Sequence, residues 1–305
     1  MRHLLEKRIV LVTGKGGVGR TTLTAALAHM AAAAGKRVLV TEIGEPEGDF
    51  SPLARLFGRD HLPSTPETIT GGISGSLLWA REGQIRFLQS VLPSAFPVRT
   101  VVSSKALTSF LEAAPSFQEM GVFYHLLELL RARDRGGRIT HELILIDMPA
   151  TGHTMALTGL PDILLKLIPG GAMADALREG QSYLYDPARS AACVVTLPET
   201  LPVTECLELI EGLRRTRVPV GSVVLNRYPT DPFDTSERDA LHGLLEDEHL
   251  FGVASWHGIE GSRRARKRLE EKLGTIPLTV MGQATGGGET QLSTLVKQLE
   301  SGGVP

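Results

Sequence analysis

The chain has 305 residues, of which 42% are hydrophobic, and a formal net charge of −2. That length suits one large α/β domain, and the near-neutral balance gives no general attraction to nucleic acid or to an anionic membrane. The two cysteines, Cys193 and Cys206, lie far apart with no CxxC pattern. This argues against a disulfide framework or a structural zinc site and for buried, inert thiols.

Residues 1–7 are too few and too charged to read as a signal peptide, and no apolar run reaches membrane-spanning length. The chain is therefore expected to be cytoplasmic, with no integral membrane segment. Residues 8–12 form a short β-branched run that reads as a buried parallel strand. Directly after it comes Gly14-Lys15-Gly16-Gly17-Val18-Gly19-Arg20-Thr21-Thr22. The spacing is that of the phosphate-binding loop G-x-x-x-x-G-K-[ST], whose backbone N–H groups cradle phosphates at a helix N-terminus. Thr21 stands where the hydroxyl that meets Mg²⁺ belongs, and Arg20 stands where the loop lysine belongs. Residues 22–31, rich in alanine and leucine, follow as a helix closed by Gly35, and residues 37–41 supply the next strand.

Residues 45–75, rich in proline, glycine and acidic side chains, read mainly as loop, and residues 76–80 as a short strand. The segment 82–112 reads as helices interrupted near Pro93 and Pro97, and 117–133 as an amphipathic helix with Phe123, Leu126, Leu127 and Leu130 on one face. Three further buried strands are expected over residues 143–147, 192–196 and 221–226, the last two joined by a helix over 202–215. A solvated charged helix over 263–272, a flexible glycine stretch over 286–288 and a last helix over 292–299 complete the chain. The alternation predicts an α/β fold: a doubly wound, mostly parallel sheet of the P-loop type, in one domain over residues 1–305. A helical subdomain is expected within it, roughly over residues 82–135. Trp79 and Trp256 are expected to pack rather than to stack on bases.

The strand over 143–147 ends in Asp147, a carboxylate at the sheet edge facing the glycine loop, which suits the water shell of Mg²⁺ beside Thr21. The residues that follow are Met148-Pro149-Ala150-Thr151-Gly152-His153-Thr154-Met155-Ala156-Leu157. Here the chain resembles the ArsA-type anion-transporting ATPases, among them arsenical-pump ATPases and the ATPases that target tail-anchored membrane proteins. Their strand continues as D-x-x-P-T-G-H-T-x-R-x-L; this chain has Ala150 in place of the proline. The run Leu160 to Leu167 resembles their L-P-x-x-L-x-K-L, and Pro198-Glu199 through Cys206 their P-E-x-L-x-x-x-E-T. The run Val223-Val224-Leu225-Asn226-Arg227 resembles their strand that ends in an adenine-reading asparagine, and Pro115 to Glu119 is a faint echo of P-G-x-x-E.

The resemblance implies an ATPase that uses ATP and Mg²⁺, closes as a homodimer over two nucleotides, and acts on a protein partner or client. It implies that Lys15 reaches the partner's nucleotide while Arg20 neutralises phosphate charge within its own chain, that Asn226 reads adenine, and that Pro277 flanks the base. The readings that compete with these are a solvated lysine for Lys15 and a plain strand-edge proline for Pro277. An aspartate-proline pair orients water in the family; here Glu45-Pro46 is the nearest match, and Glu42, at the strand end, is the other candidate. His153 is expected to orient its loop rather than bind metal. Arg20 and the altered first switch raise a second reading, a nucleotide-operated switch or scaffold with little hydrolysis. A membrane-positioning ATPase of the MinD/ParA kind ranks lower, because residues 292–299 carry only Lys297 as a base.

Overall fold

The computed structural model describes residues 1–45, 50–91, 117–149, 151–167, 169–244, 252–284 and 288–304. Eight strands form one sheet. They are β1 (Ile9–Gly14), β2 (Val38–Ile43), β3 (Glu67–Thr70), β4 (Ile73–Leu78), β5 (Leu143–Asp147), β6 (Ser190–Thr196), β7 (Val220–Tyr228) and β8 (Leu278–Gly282). Their order is β3-β4-β2-β5-β1-β6-β7-β8, parallel throughout except that β3 runs antiparallel to β4. The helices are α1 (Arg2–Leu5), α2 (Arg20–Ala33), α3 (Pro52–Arg55), α4 (Ala80–Val91), α5 (Phe117–Arg131), α6 (Thr151–Leu167), α7 (Ala172–Leu184), α8 (Thr200–Arg215), α9 (Thr235–Leu244), α10 (Val253–Leu273) and α11 (Gly288–Ser301).

Alternation along each strand divides the core in two. Ile9, Leu11, Leu39, Ile144 and Ile146 face α5, α6, α7, α8 and α10, while Val10, Val12, Val38, Leu143 and Leu145 face α2, α3 and α11. The central strands are buried on both faces, so they read as continuous apolar runs, as parallel strands do. Helix α2 buries Ala25, Ala26, Ala28 and Ala31, small side chains that let neighbouring elements lie close. β1 sits between β5 and β6, where the chain turns to opposite sides of the sheet, and the crevice at such a point is where α/β sheets bind ligands.

Within the described residues the strands and helices expected from sequence are present, several of them longer. The charged helix extends over Val253–Leu273; Arg263, Arg264, Lys267, Glu270 and Lys272 are exposed, and Trp256, Ala265, Leu269 and Leu273 are buried on its other side. The stretch taken as loop holds α3 and the edge strand β3, and β4 begins earlier than expected, at Ile73. Helices α6, α7 and α9 have no counterpart in the sequence reading, and β8 has one only in the strand-edge reading of Pro277; α6 carries Pro161 within it, a residue that usually ends a helix. Of the expected helical subdomain, α4 and α5 pack on one another and α5 shares the core of the sheet's face. Residues 92–116, with Pro93 and Pro97, lie outside the described residues, as do 285–287 of the glycine stretch. Cys193 and Cys206 are buried, and burial pushes each thiol up to about 12, so they are poor nucleophiles.

His125 on α5 is 1% exposed and accepts the Trp79 N–H through Nδ1 at 3.1 Å. Burial, with the nearby charge of Arg86, pulls its pKa down to about 4. An unfolded histidine titrates near 6.5, so below that pH the unfolded chain binds a proton that the folded chain refuses. This contribution to stability is complete above about pH 6.5 and is lost as pH falls toward 4. Urea unfolding is expected to show a loss of about 2 kcal/mol from this group between pH 7 and pH 5. His125→Asn, which keeps an acceptor where Nδ1 stands, removes that part of the slope.

Candidate functional site

The glycine loop runs from the end of β1 to the start of α2. Gly17 and Gly19 have φ of 79° and 96°, the left-handed region that glycine enters without strain, and Gly19 is the N-cap of α2. No side chain caps that helix, so its first N–H groups stay free to meet an anion. Nothing approaches within 4 Å of where a Cβ on Gly16 or Gly17 would stand, so the loop's outer surface is open. The loop is braced by Asn226 at the end of β7, whose Nδ2 donates to the Val18 carbonyl at 2.8 Å and whose Oδ1 accepts the Arg227 N–H at 2.9 Å. A Cβ on Gly19 would overlap that Nδ2.

Parallel register brings the acidic end of β5 beside the loop: Asp147 pairs with Val12 on one side and with Glu42 on the other. The Thr21 hydroxyl donates to Asp147 Oδ2 at 2.6 Å. The other oxygen, Oδ1, is buried with no partner. Burial pushes the Asp147 pKa up, against the Thr21 hydrogen bond and the positive charge of Arg20. Arg20 donates through its guanidinium to the Met148 carbonyl at 2.5 Å, and burial lowers its pKa while Asp147 opposes the shift. An unpaired, buried carboxylate oxygen is costly unless something occupies it. With the Thr21 hydroxyl beside it and an open ring of backbone N–H groups above, these residues fit a magnesium–nucleotide pair. Thr21 and Asp147 would hold the metal, and the loop with Thr22 and Arg20 the phosphates.

Of the two switch carboxylates, Glu42 lies in this site. It is half-buried and raised in pKa by burial, and it accepts a hydrogen bond from the Ser51 hydroxyl. Ser51 in turn caps α3 by accepting the Ala54 N–H at 3.0 Å. Glu45 is exposed and lies past the strand end, at the rim of a cavity of about 150 Å³ lined also by Leu78, Trp79, Glu119, Pro149 and Leu157. Lys15 is half-exposed and forms an ion pair with Glu205 of its own chain, Nζ to Oε1 at 2.7 Å. Pro277 is not at the site. It precedes β8, and its carbonyl accepts the Val223 N–H near the start of β7, so it lies at the sheet edge opposite the loop. Of the two readings of Pro277, this position is that of the strand-edge proline: it stands at the N-terminal end of β8, whereas the loop follows the C-terminal ends of the strands. The side chain of His153 lies outside the described residues. Ser51 and Glu205 carried no sequence signal as partners of Glu42 and Lys15, because each pairing is made by the fold.

A phosphate loop between a central parallel strand and its helix, with an acidic strand end beside the loop threonine, defines a P-loop nucleotide-binding protein. Residues 9–260 match the CobQ/CobB/MinD/ParA nucleotide binding domain, and the chain belongs to that family, in its ArsA-type branch. It is 30% identical over 225 residues to "ATPase BagA" of Mycobacterium tuberculosis, covering 72% of this chain and 65% of that protein. It is 29% identical over 227 residues to an arsenical pump-driving ATPase of Escherichia coli, covering 72% of this chain and 35% of that one. An "ATPase ASNA1 homolog" of Trypanosoma cruzi is 24% identical over 298 residues, covering 78% of this chain and 79% of its own. The chain thus spans about two thirds of the mycobacterial relative and about a third of the pump ATPase. Among the described residues no helix is long and apolar enough to cross a membrane, and no group of three or more His, Cys, Asp or Glu is placed to hold a metal.

Gly19→Ala tests the loop geometry. The substitution forces a Cβ into left-handed backbone, at about 1–2 kcal/mol, and against the Asn226 amide. Calorimetric titration is expected to show ATP affinity reduced about tenfold or more, with the circular dichroism of the fold unchanged.

Proposed function

We propose that this protein is an ArsA-like ATPase, cytoplasmic, whose nucleotide-driven closure of two copies controls a partner or client protein. The observation that carries the reading is the Thr21–Asp147 hydrogen bond beside the orphaned Asp147 Oδ1, at the foot of an open glycine loop. In this reading the N–H groups of Gly16, Gly17, Val18 and Gly19 hold phosphate oxygens, and Arg20 adds positive charge along them. Mg²⁺, when bound with ATP, supplies charge neutralisation at the phosphates. Glu42 orients the attacking water and accepts its proton, which suits a carboxylate whose pKa burial has raised. Asn226 stands at the edge of the loop where it can read adenine with the capacity left over by its hydrogen bonds to Val18 and Arg227. Lys15 leaves Glu205 and reaches the second copy's nucleotide when the dimer closes.

A second reading, a nucleotide-operated switch with little hydrolysis, is favoured by where Arg20 rests. Its planar guanidinium is engaged with the Met148 carbonyl, and a lysine in its place would be a compact point charge with different reach. The two readings part on turnover. Phosphate release is expected to need Mg²⁺, to fall on the order of a hundredfold in Asp147→Asn, and to rise about tenfold in Arg20→Lys. Tight ATP binding with no Mg²⁺-dependent turnover in the parent and in Arg20→Lys would overturn the enzyme and leave the switch.

A further inference from the structure

Behind the sheet, on the face away from α2, a buried hydroxyl pair joins the glycine loop's strand to α6. Thr13, the last residue of β1 before Gly14, is fully buried and points to the same face as Ile9 and Leu11. Its hydroxyl lies 3.0 Å from the hydroxyl of Thr154, fully buried in the first turn of α6. The Thr154 carbonyl accepts from the Thr158 hydroxyl at 2.8 Å, and the Thr158 carbonyl accepts from Tyr185 at 3.1 Å. The pair therefore sits in a chain of hydrogen bonds that continues to α7.

The link matters because of what lies on either side of it. Among the described residues, Asp147, Met148 and Thr154 are held to the loop's strand and helix by four contacts. Asp147 takes the Thr21 hydroxyl, Met148 N–H donates to the Val12 carbonyl at 3.0 Å, Arg20 holds the Met148 carbonyl, and Thr154 meets Thr13. The Thr21 and Arg20 contacts are made by groups that the proposed nucleotide site would recruit. The Met148–Val12 contact is backbone and insensitive to side chains. Among the contacts of described residues, the Thr13–Thr154 bond is the side-chain link set back from the glycine loop, so it can persist while the Thr21 and Arg20 contacts exchange.

We infer that Thr13 is a positioning residue that couples occupancy of the glycine loop to α6 through its hydroxyl bond to Thr154. This rests on the nucleotide-binding reading of the loop, not on hydrolysis. Replacing either hydroxyl by an apolar group of the same shape removes this bond between β1 and α6 and slackens the joint. Small displacements at the loop are then absorbed at the slack joint and no longer move the helix.

The test is hydrogen–deuterium exchange across residues 151–167 in the full-length chain, with and without Mg²⁺–ATP, beside calorimetric ATP affinity. In the parent, ATP is expected to change exchange in this helix several-fold. Thr13→Val keeps the side chain's shape without the hydroxyl. It should bind ATP within about threefold of the parent yet lose most of the change, and Thr13→Ser should restore it. Thr154→Val approaches the joint from the other side, and the double variant should lose no more than either single one. A Thr13→Val helix that responds to ATP as the parent does overturns the inference; should that variant fail to fold, the same outcome in Thr154→Val overturns it. Parent protein that binds ATP with no change in α6 also overturns it while leaving nucleotide binding intact. Parent protein that does not bind ATP overturns both.

Discussion

The site depends on one register. In the parallel pairing of β1 with β5, Val12 stands opposite Asp147, so the acidic strand end meets the residues from which the glycine loop departs. A one-residue slip would turn Asp147 to the other face of the sheet, toward α6 instead of α2. Because strands β1, β5 and β6 are buried on both faces, that slip would also exchange the two apolar surfaces on which the helices pack. The register is therefore held by the whole core, and with the loop's left-handed glycines it sets where Thr21 and Arg20 meet Asp147.

Electrostatics then shape the resting state. Asp147 and Glu42 are neighbours across β5 and β2, both pushed upward in pKa by burial, and each is stabilised by one hydroxyl, from Thr21 and Ser51. Arg20 is the cation that acts on Asp147, yet it spends a hydrogen bond on a backbone carbonyl. Lys15 is likewise occupied, by Glu205. Half-exposed ion pairs of this kind contribute on the order of 1 kcal/mol or less, so they hold a side chain without locking it. In this structure Arg20 and Lys15 thus both rest on groups of their own chain.

Much of this was legible in the sequence because the features involved are local or periodic. The glycine spacing, Thr21 and the apolar run ending in Asp147 each carry a short-range pattern, and the structure brings them together. Glu42 and Glu45 could not be separated by pattern, since both are acidic residues near a strand end; burial and the contact with Ser51 separate them. The two readings of Pro277 stayed open in the sequence because a motif gives its neighbourhood but not the direction of β8. Helix α6 was obscured by Pro161, which local propensity treats as a stop but which the packed helix tolerates. Contacts between residues far apart in the chain, such as Lys15 with Glu205 and Thr13 with Thr154, leave no trace in any local pattern.

The most direct measurement is a crystal structure of the chain grown with Mg²⁺ and a non-hydrolysable ATP analogue. The account predicts phosphates in the glycine loop, the metal beside the Thr21 hydroxyl with Asp147 Oδ1 facing its water shell, and the Arg20 guanidinium moved off the Met148 carbonyl. An analogue bound elsewhere, for instance in the open cavity of about 770 Å³ lined by Arg227, His257 and Thr200, would contradict it, provided the Thr21–Asp147 and Arg20–Met148 bonds were unchanged.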